Sequence, residues 1–185
     1  MITPQEMYDF LNRKDIRFFT GVPDSLLKDF CAFITDHTTS ENHIIAANEG
    51  NAVALASGYY LATGKIPVVY MQNSGLGNCV NPLTSLTDKE VYSIPILLLI
   101  GWRGEPDVKD EPQHIKQGRI TPSLLENLEI PYSILSSTSS DVERAIETAI
   151  THLQQQQSAY ALLIRKGTFE KYVLQKKKEK NFPLN

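Results

Sequence analysis

The apolar positions of this chain switch repeatedly between helical and strand spacing. Met7, Phe10 and Leu11 recur at helical intervals behind Thr3-Pro4-Gln5-Glu6. Thr3 can cap that helix, Pro4 suits its first position, and Glu6 can close a capping box. Residues 17–20 read as a short strand ended by Gly21-Val22-Pro23-Asp24. Residues 25–36 read as a helix with Leu26, Leu27, Phe30, Phe33 and Ile34 inward. The pattern predicts a strand at 43–47, a small-residue helix at 49–63 stopped by Gly64, and a buried strand at 66–71. A turn at 73–77 then opens a helix that runs to about Thr87. A buried strand at 94–100 leads into a polar stretch at 101–118, read as a long loop. A helix at 122–128, a strand at 132–135, a helix at 140–156 and an apolar strand at 159–164 complete the series.

Strands alternating with helices are the mark of parallel βαβ units. Strands apolar on both faces fit a sheet covered by helices on both sides. The expectation is an α/β fold: one three-layer α/β/α sandwich with a parallel sheet of about six strands. In such sheets ligands sit beyond the strand C-terminal ends. That places residues 21–24, 48–50, 72–78 and 101–118 around the candidate crevice. The domain is expected to cover 1–168, with a charged linker at 169–185.

Composition narrows the class. With 185 residues, 42% hydrophobic and 21% charged, the chain has ordinary globular usage. No apolar run approaches the ~20 residues a membrane span needs. Met1-Ile2-Thr3-Pro4 has neither the basic nor the apolar region of a secretory signal. Two cysteines, Cys31 and Cys79, are too few for a disulfide framework or a four-ligand zinc site. A cytoplasmic setting with free thiols is expected. Residues 165–180 hold seven basic and two acidic side chains; the total of −3 therefore leaves −8 on the remainder. An acidic domain with a solvated basic tail predicts neither a nucleic-acid nor a membrane partner.

Several chemistries lack their motifs. There is no phosphate-binding P-loop and no G-x-S-x-G nucleophile elbow. His37, His43, His114 and His152 are not at metal-ligand spacing, so no metal site is expected in this chain. Gly75-x-Gly77 has Val80 where a dinucleotide fingerprint needs its third glycine. Glu49 stands out instead, between a buried strand and a small-residue helix in Asn48-Glu49-Gly50-Asn51-Ala52. A carboxylate there is stabilised by the helix dipole. It reads either as a plain first-turn acid or as a carboxyl group aimed into the crevice, with Gly50 and Ala52 admitting a ligand to the backbone.

Asn48-Glu49-Gly50-Asn51-Ala52, the run from Gln72 through Asn78 with Asn81-Pro82-Leu83, and Pro95-Ile96-Leu97-Leu98-Leu99-Ile100-Gly101 together resemble the pyrimidine-binding domain of thiamine-diphosphate enzymes over about residues 1–170. Gly21-Val22-Pro23-Asp24-Ser25, Gly101-Trp102-Arg103-Gly104, Asp110-Glu111-Pro112-Gln113-His114 and Gly118-Arg119 resemble more narrowly the phosphonopyruvate decarboxylase family and its relative, the sulfopyruvate decarboxylase α subunit. The resemblance implies decarboxylation of a 2-oxo acid bearing a second anionic group. It implies that Glu49 is catalytic, hydrogen-bonded to the cofactor's aminopyrimidine, with Pro23, Asn73, Gly75, Leu76 and Asn78 also at the thiamine diphosphate. It implies substrate contacts from Asp24, Ser25, Gln113, His114, Lys116 and Arg119; Asp24 or Ser25 can equally cap the next helix. In that family Mg²⁺ and the diphosphate sit on a second domain opening with Gly-Asp-Gly. That motif does not occur in this sequence. The resemblance therefore implies half an active site, completed by a diphosphate-binding domain or β subunit, and a homodimer or higher homo-oligomer. A non-catalytic α/β binding domain, with Glu49 only capping its helix, is the alternative from another class.

Overall fold

The computed structural model describes residues 1–135 and 137–175. Six strands form one parallel sheet: β1 (Phe19–Gly21), β2 (His43–Ile45), β3 (Val68–Gln72), β4 (Leu97–Gly101), β5 (Tyr132–Leu135) and β6 (Tyr160–Ile164). Their spatial order is β2-β1-β3-β4-β6-β5, and every pairing is parallel. The helices are α1 (Pro4–Arg13), α2 (Lys28–His37), α3 (Glu49–Thr63), α4 (Leu76–Pro82), α5 (Pro112–Asn127) and α6 (Ser139–Gln156). A wider π turn (Leu83–Thr87) extends α4.

The strands sort their side chains by the two-residue period. Val68, Tyr70, Leu97, Leu99, Leu162 and Ile164 join a core with α1, α2 and α6. Val69, Met71, Leu98, Ile100, Ala161 and Leu163 join a second core with α3, α4 and α5. The expected three-layer sandwich is therefore present.

Local signals explain most boundaries. Thr3 Oγ1 accepts from Glu6 N at 3.1 Å while Glu6 Oε2 accepts from Thr3 N at 2.8 Å, a complete capping box. Gly64 ends α3 at φ +69°, where a side chain would be strained. The long loop expected at 101–118 is a correction. Helix α5 starts at Pro112, runs through the expected start at Pro122, and ends at Asn127. Pro112 at the first position is favourable, and Trp102 Nε1 donates to Gly118 O at 2.8 Å, tying the strand end to the helix.

The domain boundary also moves. Ile2 pairs with Phe169, and Phe169 stacks on Phe30 at 5.5 Å. Tyr172 lies edge-on to Phe33 at 5.2 Å, and its hydroxyl donates to Asp36 at 3.0 Å. Residues 169–175 thus pack along α2 instead of leaving the domain at 168. The lysine run at 176–178 lies outside the described residues. No helix among the described residues is long and apolar enough to cross a membrane.

Candidate active site

From β1 the chain moves outward to β2 and then returns past β1 to β3, so the sheet changes direction between β1 and β3. Their C-terminal ends open the crevice in which such folds bind ligands. Glu49 stands on its rim as the first residue of α3. Asn48 caps the helix, its Oδ1 accepting from Gly50 N at 2.8 Å. The Glu49 side chain then reaches α4, where Oε2 accepts from Asn78 Nδ2 at 2.8 Å. A Cβ on Gly75 would fall 2.6 Å from Oε1, so only glycine leaves room for the carboxylate there. The half-buried carboxylate is therefore held by a helix N-terminus, one amide donor and a glycine floor. Burial pushes the neighbouring Cys79 thiol up to about 12, and the Glu49 charge adds to that.

Gly50 and Ala52 have other duties than the sequence suggested. A Cβ on Gly50 would lie 2.7 Å from Asn78 O, so Gly50 serves the close packing of α3 on α4. Ala52 is fully buried in the core. Neither opens the backbone to a ligand.

Across the direction change, Asp24 is buried and fully engaged. Its Oδ1 accepts from Leu26 N at 2.9 Å and its Oδ2 from Gln72 Nε2 at 3.0 Å. Asp24 braces the turn that leads into α2 and also bridges β1 to β3; it does not cap the helix, whose N-cap is Leu27 without a side-chain cap. Pro23 and Ser25 beside it are exposed.

Asn73 is completely buried. Its Nδ2 donates to Arg103 O at 2.8 Å and Thr121 Oγ1 at 2.9 Å, and its Oδ1 accepts from Arg103 N at 3.2 Å. Its side chain thus fastens β3 to the next loop and to α5, with nothing left for a ligand. Leu76 is likewise buried in the core, and Asn73 O accepts from Gln117 Nε2 at 3.0 Å, so neither residue is open to the crevice.

Gln113, Lys116 and Arg119 are exposed on one side of α5, and His114 is half-buried. Helical spacing groups the first three together, but they do not join the Asp24–Gln72 bridge. Ser25, one of the expected substrate contacts, belongs to a further cluster. Arg103 Nε and Nη2 donate to Asp110 Oδ2 and Oδ1 at 2.8 and 2.5 Å, and Arg103 Nη1 donates to Ser25 Oγ at 2.8 Å. Asp110 also accepts from Gly104 N and Glu111 N, both at 2.8 Å. These bonds, the Arg103 one foremost, hold its carboxyl far below the usual carboxylate range. Arg103 and Asp110 lie within motifs visible in the sequence; their pairing across six intervening residues is not.

Residues 2–124 match the thiamine pyrophosphate enzyme, N-terminal TPP binding domain. The chain belongs to this family. Among relatives of this thiamine pyrophosphate enzyme domain, phosphonopyruvate decarboxylase from Streptomyces viridochromogenes is 34% identical over 168 residues, 90% of this chain and 41% of the relative. The sulfopyruvate decarboxylase α subunit of Methanocaldococcus jannaschii is 34% identical over 158 residues, 85% of this chain and 89% of the relative. The chain thus spans about two fifths of the phosphonopyruvate decarboxylases it matches. In fold it resembles the thiamine diphosphate-dependent 4-hydroxybenzoylformate decarboxylase of Rhodococcus jostii RHA1, with a TM-score of 0.70, 19% identity, and coverage of 92% of this chain and 31% of that one.

The residues present fit the pyrimidine end of thiamine diphosphate. An anchored, half-buried carboxyl group at the direction change can meet a ring nitrogen, and Gly75 leaves the room that the carboxyl group occupies. Among the described residues no group of three or more His, Cys, Asp or Glu side chains could hold a metal ion.

Proposed function

We propose that this chain is the pyrimidine-binding half of a decarboxylase that converts 3-phosphonopyruvate to phosphonoacetaldehyde and CO₂. The observation that carries the reading is the Glu49 carboxylate, fixed between Asn78 and Gly75 at the crevice. Glu49 hydrogen-bonds the pyrimidine nitrogen through its carboxyl group and is the group placed to pass a proton there. Asn78 keeps it from swinging into water, and Pro23, Asn73, Gly75 and Leu76 are the remaining cofactor-side candidates. When bound, the thiazolium supplies the electron sink for the departing CO₂. Mg²⁺ and the diphosphate belong to a second domain or β subunit. A second copy of the chain is the further expected partner: α3 is apolar on its outer side too, with Leu55 and Leu61 exposed. Asp24, Ser25, Gln113, His114, Lys116 and Arg119 are the substrate-side candidates, in a cytoplasmic enzyme.

The alternative product is that of a sulfopyruvate decarboxylase α subunit, supported by equal identity to such a subunit. The test is decarboxylation by the chain together with its diphosphate-binding half. Phosphonopyruvate, sulfopyruvate and pyruvate are supplied in parallel to wild type and Glu49→Gln. Turnover of phosphonopyruvate that falls about 10²–10⁴-fold in the variant is expected. Turnover of sulfopyruvate alone would move the chain to the sister activity. Unchanged turnover in Glu49→Gln would leave Glu49 a helix-capping acid.

A further inference from the structure

A cleft of about 980 Å³ lies apart from Glu49. It lies beside the crevice, past Asp24, and is lined by Ser25, Lys28, Asp29, Arg103, Asp110 and Lys166 among others. The resemblance leaves open which basic residue meets the substrate's second anion; Lys116 and Arg119 of α5 are among the expected substrate contacts. The geometry points to a different receptor: Arg103 and Ser25 together bind the anionic group at C3 of the substrate, with Asp110 as the positioning residue. This inference rests on the proposed 2-oxo acid substrate and names the residues that would select it.

A guanidinium has five N–H groups. Asp110 takes one from Nε and one from Nη2, and Ser25 takes one from Nη1. One N–H remains on each Nη, the two-pronged arrangement that suits a tetrahedral oxyanion. Ser25 Oγ accepts from Arg103, so its own O–H is left to donate to a ligand. Three donors within one hydrogen-bonded group thus match the three oxygens of a phosphonate or sulfonate.

Preorganisation is the second element. The Arg103 side chain is only 18% exposed and Asp110 16%. Asp110 is itself fixed by Gly104 N and Glu111 N. The fork is therefore oriented before any ligand arrives, which lowers the entropic cost of binding. The paired Asp110 offsets the Arg103 charge, so net attraction has to come from Lys28, Lys166 and Lys171 on the same cleft. Of the opposing acids there, Asp29 already accepts from Tyr172 N at 3.1 Å, and Glu170 is exposed to water.

Position is the third element. Ser25 follows Asp24, whose other oxygen bridges to Gln72. Arg103 is fastened through its backbone to Asn73. Asp24 and Asn73 lead in turn to the strand ends around Glu49. The receptor is thus built onto the frame that holds the proposed cofactor crevice. Lys116 and Arg119, by contrast, are exposed on α5 and have no such links among the described residues.

The test is NMR titration of the 185-residue chain with 3-phosphonopyruvate, sulfopyruvate and pyruvate. Wild type is compared with Arg103→Lys, Ser25→Ala, Asp110→Asn and the double variant Lys116→Ala/Arg119→Ala. Arg103→Lys keeps the charge but loses the fork, and is expected to weaken phosphonopyruvate binding at least tenfold while leaving pyruvate unchanged. Asp110→Asn should lower the preference for phosphonopyruvate over pyruvate and add little in combination with Arg103→Lys. A structural defect would instead weaken both ligands alike. Phosphonopyruvate binding that survives in Arg103→Lys but is lost in the α5 double variant overturns the inference. Absence of any preference for phosphonopyruvate or sulfopyruvate over pyruvate overturns it as well. A parallel titration with thiamine diphosphate reads Glu49 separately, so failure of the cofactor reading is visible independently of the anion receptor.

Discussion

Gly75 gives the sharpest handle on the proposed active site, because stability and function should part there. Its backbone has φ −71° and ψ −15°, ordinary helical values that alanine accepts. Helix propensity alone would make Gly75→Ala stabilising by up to about 1 kcal/mol. The added Cβ, however, would fall 2.5 Å from Glu49 Cγ and 2.6 Å from Cδ and Oε1. Those atoms belong to a rotatable side chain, so Glu49 turns away and the backbone stays. The cost is the Asn78–Glu49 hydrogen bond, about 1 kcal/mol at a partly exposed site. Gain and loss nearly cancel, and the midpoint of thermal unfolding should move by no more than about 4 °C. Cofactor affinity should fall at least tenfold, about 1.4 kcal/mol, because the carboxyl group has left its position. Gly77→Ala is the matched control. It lies two residues further along, and nothing is within 4 Å of its added Cβ. That variant should gain the propensity and bind thiamine diphosphate as wild type does. Calorimetric titration of both variants, alongside thermal unfolding, reads the two quantities independently. Gly75→Ala with wild-type affinity would refute the placement of Glu49 at the cofactor, and equal losses in both variants would refute the steric argument.

Two further predictions concern the framework. Gly118 lies inside α5, where alanine is normally favoured, yet its added Cβ would sit 1.7 Å from Gly104 O; Gly118→Ala should therefore cost about 3 kcal/mol and lower the melting temperature by roughly 6–12 °C, and any stabilisation would contradict the helix–loop contact. His43 is pressed between Tyr70 OH at 2.8 Å and Thr35 Oγ1 at 3.3 Å, and burial lowers its pKa to about 4. The unfolded chain takes up that proton near pH 6.5 and the folded one only near 4, so stability is full above 6.5 and declines as pH falls towards 4. The gap corresponds to about 3 kcal/mol, reduced to about 2 by the ring's remaining contact with water. Denaturant titrations of wild type and His43→Gln between pH 7 and 4 should show that decline shrinking in the variant.

Much of the fold was decided along the chain. The Thr3 capping box, the Gly64 stop and the two-sided apolar strands are short-range signals, and each acts within about one turn of itself. The position of Glu49 was legible for the same reason: a lone acid between a buried strand and a small-residue helix has few places to go. What the sequence could not decide were pairings between distant segments. Gly104 against Gly118, Asn73 against Arg103 and Thr121, and Asp24 against Gln72 exist only once the sheet is assembled. Those contacts turn a polar stretch with the look of a loop into the start of α5, and they withdraw Asn73 into the interior. Motif and period are local properties, whereas a buried polar atom must find its partner wherever the fold brings one. The sequence therefore determined the layers and the rim carboxylate, and the tertiary structure decided which neighbouring polar groups are spent on the frame and which remain free for a ligand.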